Sequence, residues 1–560
     1  MKEKFENGTF MPDRMLSCKT LYKANGLSDD DFTRPIIGIA NSFSDIVPGH
    51  KNLRLLSEQI KYGVYRAGGT PVEFGCIAVC DGVCTTHEGS RYSLPSREVV
   101  TDGIEIMARA HKLDGLVLVG SCDKTVPAML MAAARLDIPC IFVAGGCMLG
   151  GPAFGEKKKS DSTCSAEAYG MYQAEKISYE QMLSISELSC PTIGSCQHMA
   201  TANSMCCFAE ALGISLPGSA MIPAVYNERL RAAFRTGEAA VELVRSGLTA
   251  RDILTKASIG NAVKVLMATG GSTNCVLHAC AIANEIGIDA ADIMSQFEEY
   301  GDTIPLLARI NPSSREYDAQ DFYEAGGIPE VMKQMRDILA LDCMTVTGRT
   351  LGENLQEYKN PYPPNPNVIS SLDNPFSKLA GLAIMHGNLA PDSAVAKPAA
   401  IAEQVRKFEG VAICFNSEDE CTEAIGKRLV KPGHVVVVRY EGPRGGPGMP
   451  EMFHPMKLLY GQGLNLTTAL ITDGRFSGTN SGCFVGHISP EAAAGGPIAL
   501  IRDGDKITID VINKTINLLV SEEELAKRRQ AFTYVPAKLD GILGRYAASA
   551  QSADKGAILK

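Results

Sequence analysis

Three side chains that could do chemistry follow one another in the segment GSCDK. Cys122, Asp123 and Lys124 come directly after the apolar run LDGLVLVG, which is typical of a buried strand. Two interpretations fit this order. Either the segment is a turn in which Asp123 caps a helix beginning near Val126, or a thiol, a carboxylate and an amine converge on one site at the end of the strand.

A second cysteine and a further aspartate occupy similar positions. Gly194 and Ser195 precede Cys196 just before a predicted helix, where backbone N–H groups and the helix dipole favour the thiolate. Such a cysteine can act as a metal ligand or a nucleophile. Asp81 lies in the glycine turn CDG after another predicted strand, which adds a second carboxylate at a strand end.

Two glycine-rich segments of the C-terminal half add candidate residues. RYEGPRGGPGMPEMFHP (439–455) predicts a rigid, irregular loop, and Glu451 near its end is a potential ligand for a hard cation. The loop lacks the pattern of a phosphate-binding loop. In ITDGRFSGTNSG, Ser477 lies outside the GxSxG pattern of hydrolases, so the residues alone favour a structural role for it.

Alternating strands and helices must position these residues. Apolar runs at 34–42, 71–82, 113–121 and 138–146 are separated by helical patterns, which predicts parallel strands buried on both faces. In such sheets ligands bind where strands end and loops begin. The segments CDG, GSCDK and GGCMLGG all occupy that place.

The chain changes character twice after this alternation. Residues 165–345 are mainly helical, and a segment rich in proline and asparagine at 356–375 predicts a linker. Beyond it, Val/Ile/Thr-rich runs with D-G turns predict a strand-rich domain. We therefore expect an N-terminal α/β domain over 1–355 and a C-terminal β domain over 376–560.

Composition excludes several classes of protein. The formal net charge of −9 argues against a nucleic-acid-binding protein, which needs a basic patch. The first residues, MKEKFENGTF, lack the apolar region of a signal peptide, and apolar runs fall short of the ~20 residues that span a membrane. We expect a cytoplasmic protein whose 18 cysteines do not form disulfides.

Taken together, several segments resemble the dihydroxy-acid dehydratase / 6-phosphogluconate dehydratase family. The resemblance runs from about residue 34 to residue 550 and keeps the family's order. The dihydroxy-acid branch is the more similar, through RYSLPSRE and GNLAPDSAV. The other segments that carry the resemblance are RPIIGIANSFSDIVPGH, SCDKTVPAMLMAAARLDIP, CPTIGSCQHMATANSM, ATGGSTN, RYEGPRGGPGMPEM and ITDGRFSGTNSG.

The resemblance implies a fold, a reaction and a set of roles. The fold would be an α/β domain with a parallel-rich sheet followed by a barrel-like β domain. The reaction would remove water from a 2,3-dihydroxy acid to give a 2-keto acid. An iron–sulfur cluster would be bound by Cys122 and Cys196. Mg²⁺ would be bound by Asp81, Asp123 and Glu451 together with Lys124 as a carbamate. Ser477 would be the catalytic base, and the enzyme would be a homodimer or a higher homo-oligomer.

The sequence departs from the family at several positions near the expected site. Gly49 occupies the place of the third cysteine in members with a [2Fe–2S] cluster, so we expect [4Fe–4S], with [2Fe–2S] as the alternative. The third thiolate could then be one of Cys80, Cys84, Cys147 and Cys190.

Other departures concern the substrate more than the reaction. They are the run Cys84-Thr85-Thr86, GGCM and QHMATAN. We expect 2,3-dihydroxyisovalerate as the substrate, in valine and isoleucine synthesis. A sugar acid and a non-catalytic iron–sulfur protein remain as alternatives.

Overall fold

The structure is a computed structural model that describes residues 15–155, 157–476, 478 and 482–560. Ser477 therefore lies outside the described residues.

A four-stranded parallel sheet forms the centre of the N-terminal region. Its strands are β1 (Ile36–Asn41), β2 (Thr70–Gly75), β3 (Gly115–Gly120) and β4 (Cys140–Ala144), in the order β2-β1-β3-β4. Every residue of β1, β3 and β4 is buried, because helices cover both faces of the sheet. The four apolar runs predicted as parallel strands are thus confirmed.

Helices make up most of the remaining N-terminal region and also flank the C-terminal one. In chain order, α1 to α20 are Leu16–Ala24, Leu53–Arg66, Asp81–Cys84, Ser93–Ala110, Thr125–Leu136, Cys164–Gln173, Tyr179–Leu188, Thr201–Ala211, Asn227–Ser246, Ala250–Ile253, Lys256–Thr269, Asn274–Glu285, Ala290–Thr303, Ala319–Glu324, Gly327–Gln334, Leu351–Glu357, Glu418–Gly426, Phe453–Gln462, Glu522–Ala531 and Gly541–Ser549.

Three of these helices are buried on nearly every side. α5 is buried along its whole length apart from Arg135, α8 is buried throughout, and α12 is buried from its start to Ala283. Helices that are apolar on all sides belong in the interior of a large domain. Each of the three begins at the end of a candidate segment. α5 and α8 follow GSCDK and GSCQHMA, and α12 begins at the last residue of ATGGSTN.

The C-terminal region is built on a closed barrel of eight strands. In chain order the strands β5 to β12 are Ala383–Gly387, Ala390–Ala396, Lys407–Phe415, His434–Val438, Ala469–Thr472, Cys483–Ser489, Lys506–Asp510 and Thr515–Leu518. Around the barrel they follow the order β10-β6-β5-β12-β11-β7-β8-β9.

Alternation along one strand explains why the barrel has two apolar layers. Val435 and Val437 of β8 pack inside the barrel, whereas Val436 and Val438 pack outside with residues of α17 and α18. Both faces of β8 are therefore buried. The predicted fold class, an α/β region followed by a barrel-like β region, is confirmed.

The predicted domain boundaries stay predictions. Within the predicted linker, Val368 and Ile369 are buried in the N-terminal core, and the last residues of the chain pack against α4 and α12. Among the described helices, none combines the length and the apolar character needed to span a bilayer.

Candidate active site

The ends of three neighbouring strands bring the candidate residues together. The segments that follow β1, β2 and β3 contribute Gly49, Asp81 and Cys122 to the lining of one cavity. The strand order reverses at β1, because β2 lies on one side of it and β3 on the other. A crevice at such a reversal is where open α/β sheets bind ligands.

Three carboxylates converge in this cavity. Asp81, Asp123 and Glu451 each place an oxygen within 4.8 Å of the others. Glu451 comes from the glycine-rich loop between β8 and α18, so the third carboxylate is supplied by the barrel region. Asp81 Oδ1 is buried without a hydrogen-bond partner among the described residues. Hard oxygen ligands with an unsatisfied buried atom fit a divalent cation such as Mg²⁺.

Two buried basic side chains contact the carboxylates. Lys124 Nζ donates to Asp81 Oδ2 at 2.7 Å and lies 4.0 Å from Asp123 Oδ2. Arg475 Nη1 donates to Glu451 Oε1 at 2.9 Å and lies 3.7 Å from Asp81 Oδ2. The three carboxylates thus share two positive charges, so the group is one short of neutrality when all three are ionised.

The pKa values of the three carboxyls differ accordingly. Burial alone would raise the pKa of Asp81, but the charges of Lys124 and Arg475 hold it below its ordinary value. Burial, reinforced by the charge of Asp81, raises the pKa of Asp123 to about 7. Burial also raises the pKa of Glu451, against the opposing charges of Arg475 and Lys124. A bound divalent cation would supply the missing positive charge.

Four cysteines line the same cavity as the carboxylates. Cys80, Cys122, Cys190 and Cys196 are all part of its wall. A hydrogen bond between the thiols of Cys80 and Cys122 lowers the pKa of Cys80 and raises that of Cys122. Burial raises the pKa of Cys196. Clustered thiols of this kind fit a soft metal centre, because thiolates are the ligands of iron–sulfur clusters.

Neighbouring polar residues hold the loops that carry Cys122 and Cys196 in place. His50 Nε2 accepts the backbone N–H groups of Ser121 at 3.1 Å and Cys122 at 3.0 Å. Asn203 Nδ2, from α8, donates to the carbonyl of Cys196 at 2.6 Å. Partners of this kind orient ligands without touching the metal.

The first residue of α12 connects the two regions of the chain. Asn274 Nδ2 donates to Glu451 Oε1 at 2.6 Å and to Thr201 Oγ1 at 2.9 Å. One amide thus joins the first residue of α8 to the carboxylate supplied by the barrel region.

The cavity has a volume of about 590 Å³ and receives residues from both regions. Phe453 and His454 of α18 also lie on its wall. Apolar side chains at its rim include Val83, Tyr169 and Ile193, which are partly exposed. A cavity of this size accommodates a small organic acid.

The structure brings together six of the seven residues predicted for the site: Asp81, Asp123, Lys124, Glu451, Cys122 and Cys196. Ser477 lies outside the described residues. Two of its chain neighbours are at the site: Arg475 contacts Glu451, and a side chain at Gly478 would lie 2.6 Å from Ala200 Cα, which is on the cavity wall. The chemical roles of all seven residues stay predictions.

Sequence reasoning missed several residues of the site. Arg475, Asn274 and His50 lie in segments that carry the family resemblance, but nothing in their spacing links them to a carboxylate or a thiol. Lys397 was missed as well. It is fully buried, its Nζ donates to the carbonyl of Gly478 at 3.0 Å, and burial lowers its pKa to about 7. The one indication of a buried lysine in the sequence is its position among apolar residues, in SAVAKPAAIA.

Two family models and several known proteins match most of the chain. The model of the dihydroxy-acid/6-phosphogluconate dehydratase N-terminal domain matches residues 34–354, and that of the C-terminal domain matches residues 367–557. A dihydroxy-acid dehydratase of Caldanaerobacter subterraneus subsp. tengcongensis is 48% identical over 545 residues, which is 97% of each chain. One from Pyrococcus furiosus is 47% identical over 544 residues, again 97% of each chain. The chain therefore belongs to the dihydroxy-acid/6-phosphogluconate dehydratase family.

Proposed function

We propose that the chain is a hydro-lyase that removes water from a 2,3-dihydroxy carboxylate and releases a 2-keto acid. The substrate is 2,3-dihydroxyisovalerate and the product is 2-oxoisovalerate, an intermediate of branched-chain amino-acid synthesis. Relatives named dihydroxy-acid dehydratase support this assignment. The observation that carries it is the meeting of a carboxylate triad with a group of thiols in one cavity.

The residues of the cavity suit two metal centres. Asp81, Asp123 and Glu451 would hold Mg²⁺, and Cys122 and Cys196 would hold the iron–sulfur cluster. When bound, Mg²⁺ stabilises negative charge on the substrate's carboxylate side, and an open iron acts as a Lewis acid toward the 3-hydroxyl. As an ammonium, Lys124 can only pair with the carboxylates. As a carbamate it offers oxygen atoms that match a hard cation.

The chain's own residues supply the proton chemistry. Ser477 takes the proton from C2 of the substrate, the C3–O bond breaks, and the departing hydroxide takes up a proton and leaves as water. The resulting enol tautomerises to the keto acid when its hydroxyl proton is lost and C3 is protonated. A serine hydroxyl is a weak base, so its alkoxide needs positive charge close by. Arg475 and Lys397 support this role, because Arg475 contacts Glu451 and Lys397 donates to the carbonyl of Gly478.

The rim of the cavity supports a branched aliphatic substrate. Val83, Tyr169 and Ile193 offer apolar surface to the end of the substrate that carries no carboxylate. A sugar acid carries hydroxyl groups along that end, and each would lose its contact with water against an apolar wall. We therefore favour dihydroxyisovalerate over aldonates.

Rates with competing substrates test the function. The chain is loaded anaerobically with iron, sulfide and Mg²⁺, and keto-acid formation is compared for dihydroxyisovalerate, gluconate, xylonate and arabinonate. We expect dihydroxyisovalerate to give the highest kcat/KM. Turnover of aldonates alone would make the chain a sugar-acid dehydratase, and no turnover of any of them would make it a non-catalytic protein.

A serine variant tests the base. Ser477→Ala should abolish turnover and leave the visible absorbance of the cluster unchanged, because Ser477 is not a cluster ligand. Unchanged turnover would remove Ser477 from the mechanism.

The expected homodimer and the cytoplasmic location belong to this proposal as well. Light scattering during size-exclusion chromatography at micromolar concentration measures the oligomeric state. A mass of twice the 59.8 kDa chain is the expected result.

A further inference from the structure

The segments that follow two strands of the sheet carry the same pair of residue types. Cys80-Asp81 follows β2 and Cys122-Asp123 follows β3, and these strands flank β1 on its two sides. The two carboxylates lie together in the acidic triad, and the two thiols line the same cavity and shift each other's pKa. Each pair therefore directs its carboxylate into one group and its thiol into the other.

We propose that Cys80 is the third protein ligand of the iron–sulfur cluster, beside Cys122 and Cys196. This inference rests on the proposed function. A [4Fe–4S] cluster that keeps one iron open for substrate needs three protein thiolates. Cys80, Cys122 and Cys196 all line the cavity, and the charges of Asp123 and Cys80 both act on the thiol of Cys196. Each thiol loses its proton to solvent as its sulfur binds iron.

Because residue 49 is a glycine, the third cluster ligand has to come from elsewhere on the cavity wall. A Cβ atom at this position would lie 3.1 Å from Cys122 Sγ and 3.3 Å from Ser195 Cα. Position 49 thus faces the sulfur of Cys122, but glycine offers no ligand atom there. The third thiolate has to come from another cysteine of the cavity wall, and Cys80 shares that wall with Cys122 and Cys196.

The other candidate cysteines are less suitable. Cys147 Sγ is buried and donates to the carbonyl of Met221 at 3.5 Å, and Cys84 is not among the residues that line the described cavity. Cys190 lines the cavity but is exposed, and its sulfur accepts from Gln197 Nε2 at 3.7 Å. Cys190 is therefore the most informative control.

Metal content tests the inference without reference to activity. Wild type, Cys80→Ser, Cys122→Ser and Cys190→Ser are reconstituted anaerobically with ferrous iron and sulfide, and iron, sulfide and the EPR signal of the reduced cluster are measured. We expect about four iron ions per chain in wild type and in Cys190→Ser. We expect Cys80→Ser to lose most of its iron and its EPR signal, as Cys122→Ser does.

Each contrary outcome has a distinct meaning. Full iron and an unchanged EPR signal in Cys80→Ser, with loss in Cys122→Ser, would overturn this inference and leave the proposed function intact. Loss of iron in Cys190→Ser with retention in Cys80→Ser would transfer the role to Cys190. Full iron in Cys122→Ser would overturn the cluster site of the proposed function itself.

Thiol labelling of the unmodified chain covers the case in which Cys80→Ser fails to fold. The loaded and the iron-free proteins are treated with iodoacetamide under native conditions, and labelled peptides are identified by mass spectrometry. Cys80 should be protected at least about tenfold by the cluster, and Cys190 should be labelled equally in both states. Equal labelling of Cys80 in both states would overturn the inference.

Discussion

At the scale of single residues, His50 joins the sheet to the site. Its Nδ1 donates to the carbonyl of Ser42 at 2.7 Å, while its Nε2 accepts the N–H groups of Ser121 and Cys122. This arrangement requires the neutral imidazole, because a proton on Nε2 would face two donors. Burial lowers the pKa of His50 to about 4, which agrees with that requirement.

Acid should therefore destabilise the chain in part through His50. In the unfolded chain this imidazole takes up a proton near pH 6.5, whereas in the folded chain it stays neutral until about pH 4. Its contribution is complete above pH 6.5 and is lost as the pH falls toward 4. The full loss is on the order of 3 kcal/mol. The thermal midpoint of the iron-free chain should fall between pH 7.5 and pH 5.

Two variants isolate this contribution. His50→Gln should have a lower midpoint at pH 7.5 and a smaller further drop at pH 5 than wild type. His111→Gln, which changes an exposed histidine, should follow wild type at both pH values. An equal acid-induced drop in His50→Gln and in wild type would contradict the role given to His50.

The carboxylate triad makes a prediction about Mg²⁺. Asp123→Asn should raise the Mg²⁺ concentration needed for half-maximal turnover at least about tenfold, because the cation loses a charged ligand. The iron content should remain that of wild type. Asp102→Asn is the matched control, since that side chain is 61% exposed and pairs with Arg135 at the surface. An unchanged Mg²⁺ requirement in Asp123→Asn would remove Asp123 from the metal site.

At the scale of elements, glycine sets how closely two helices approach. α2 and α9 cross where Gly63 faces Phe234 and Gly237 faces Ile60. A Cβ atom at Gly63 would lie 2.0 Å from the Phe234 carbonyl oxygen, and one at Gly237 would lie 2.2 Å from that of Ile60. α2 follows β1, and the loop between them carries Gly49 and His50. The crossing thus fixes the position of α2, the helix that follows the loop carrying Gly49 and His50.

Gly63→Ala should therefore destabilise the chain although alanine is the better helix former. The added methyl group must push the two backbones apart, at a cost of about 1–3 kcal/mol. Gly103→Ala in α4 is the matched control, because a Cβ atom there meets nothing within 4 Å. That change should stabilise by up to about 1 kcal/mol. Urea unfolding midpoints measure both, and equal midpoints would contradict the close crossing.

At the scale of the whole molecule, the site depends on contacts between the two regions. Glu451 and Arg475 come from the barrel region and complete a group of charges that begins in the sheet. The end of the chain is also fixed to the N-terminal region. Arg97 is fully buried, pairs with Glu98 Oε1 at 2.6 Å, and donates to the carbonyls of Gly556 at 2.9 Å and Ala557 at 3.2 Å.

Arg97→Met should consequently destabilise the chain by roughly 3–5 kcal/mol, because the buried Glu98 carboxylate loses its partner. Arg109→Met, on the same helix, removes an exposed arginine that pairs with Glu105. That change should cost at most about 1 kcal/mol. Thermal unfolding of the iron-free chains compares them, and similar midpoints for the two variants would contradict the proposed role of Arg97 at the chain end.

Local patterns explain which parts of this architecture the sequence could predict. The runs at 113–121 and 138–146 are continuously apolar because both faces of their strands are covered, so their positions follow from the chain itself. The residues at the strand ends, Asp81 and Cys122, follow from the same pattern. Glu451 joined them in the prediction through the resemblance to the family.

Contacts between distant segments explain what could not be predicted. Asn274 meets Glu451 across 177 positions and His50 meets Cys122 across 72 positions, and neither pairing has a local pattern. Lys397 would be assigned to the surface from its residue type alone, but it is fully buried and donates to the carbonyl of Gly478. Such partners depend on the final packing, so their detection requires the three-dimensional structure.

Anomalous diffraction from anaerobic crystals, at the iron edge and with Mg²⁺ and dihydroxyisovalerate present, tests the central claim most directly. We expect iron within bonding distance of the Sγ atoms of Cys122 and Cys196. We also expect a second, non-anomalous ion bound by Asp81, Asp123 and Glu451, with the acid between the two centres. Iron bound elsewhere, or an acid bound away from the carboxylate triad, would contradict it.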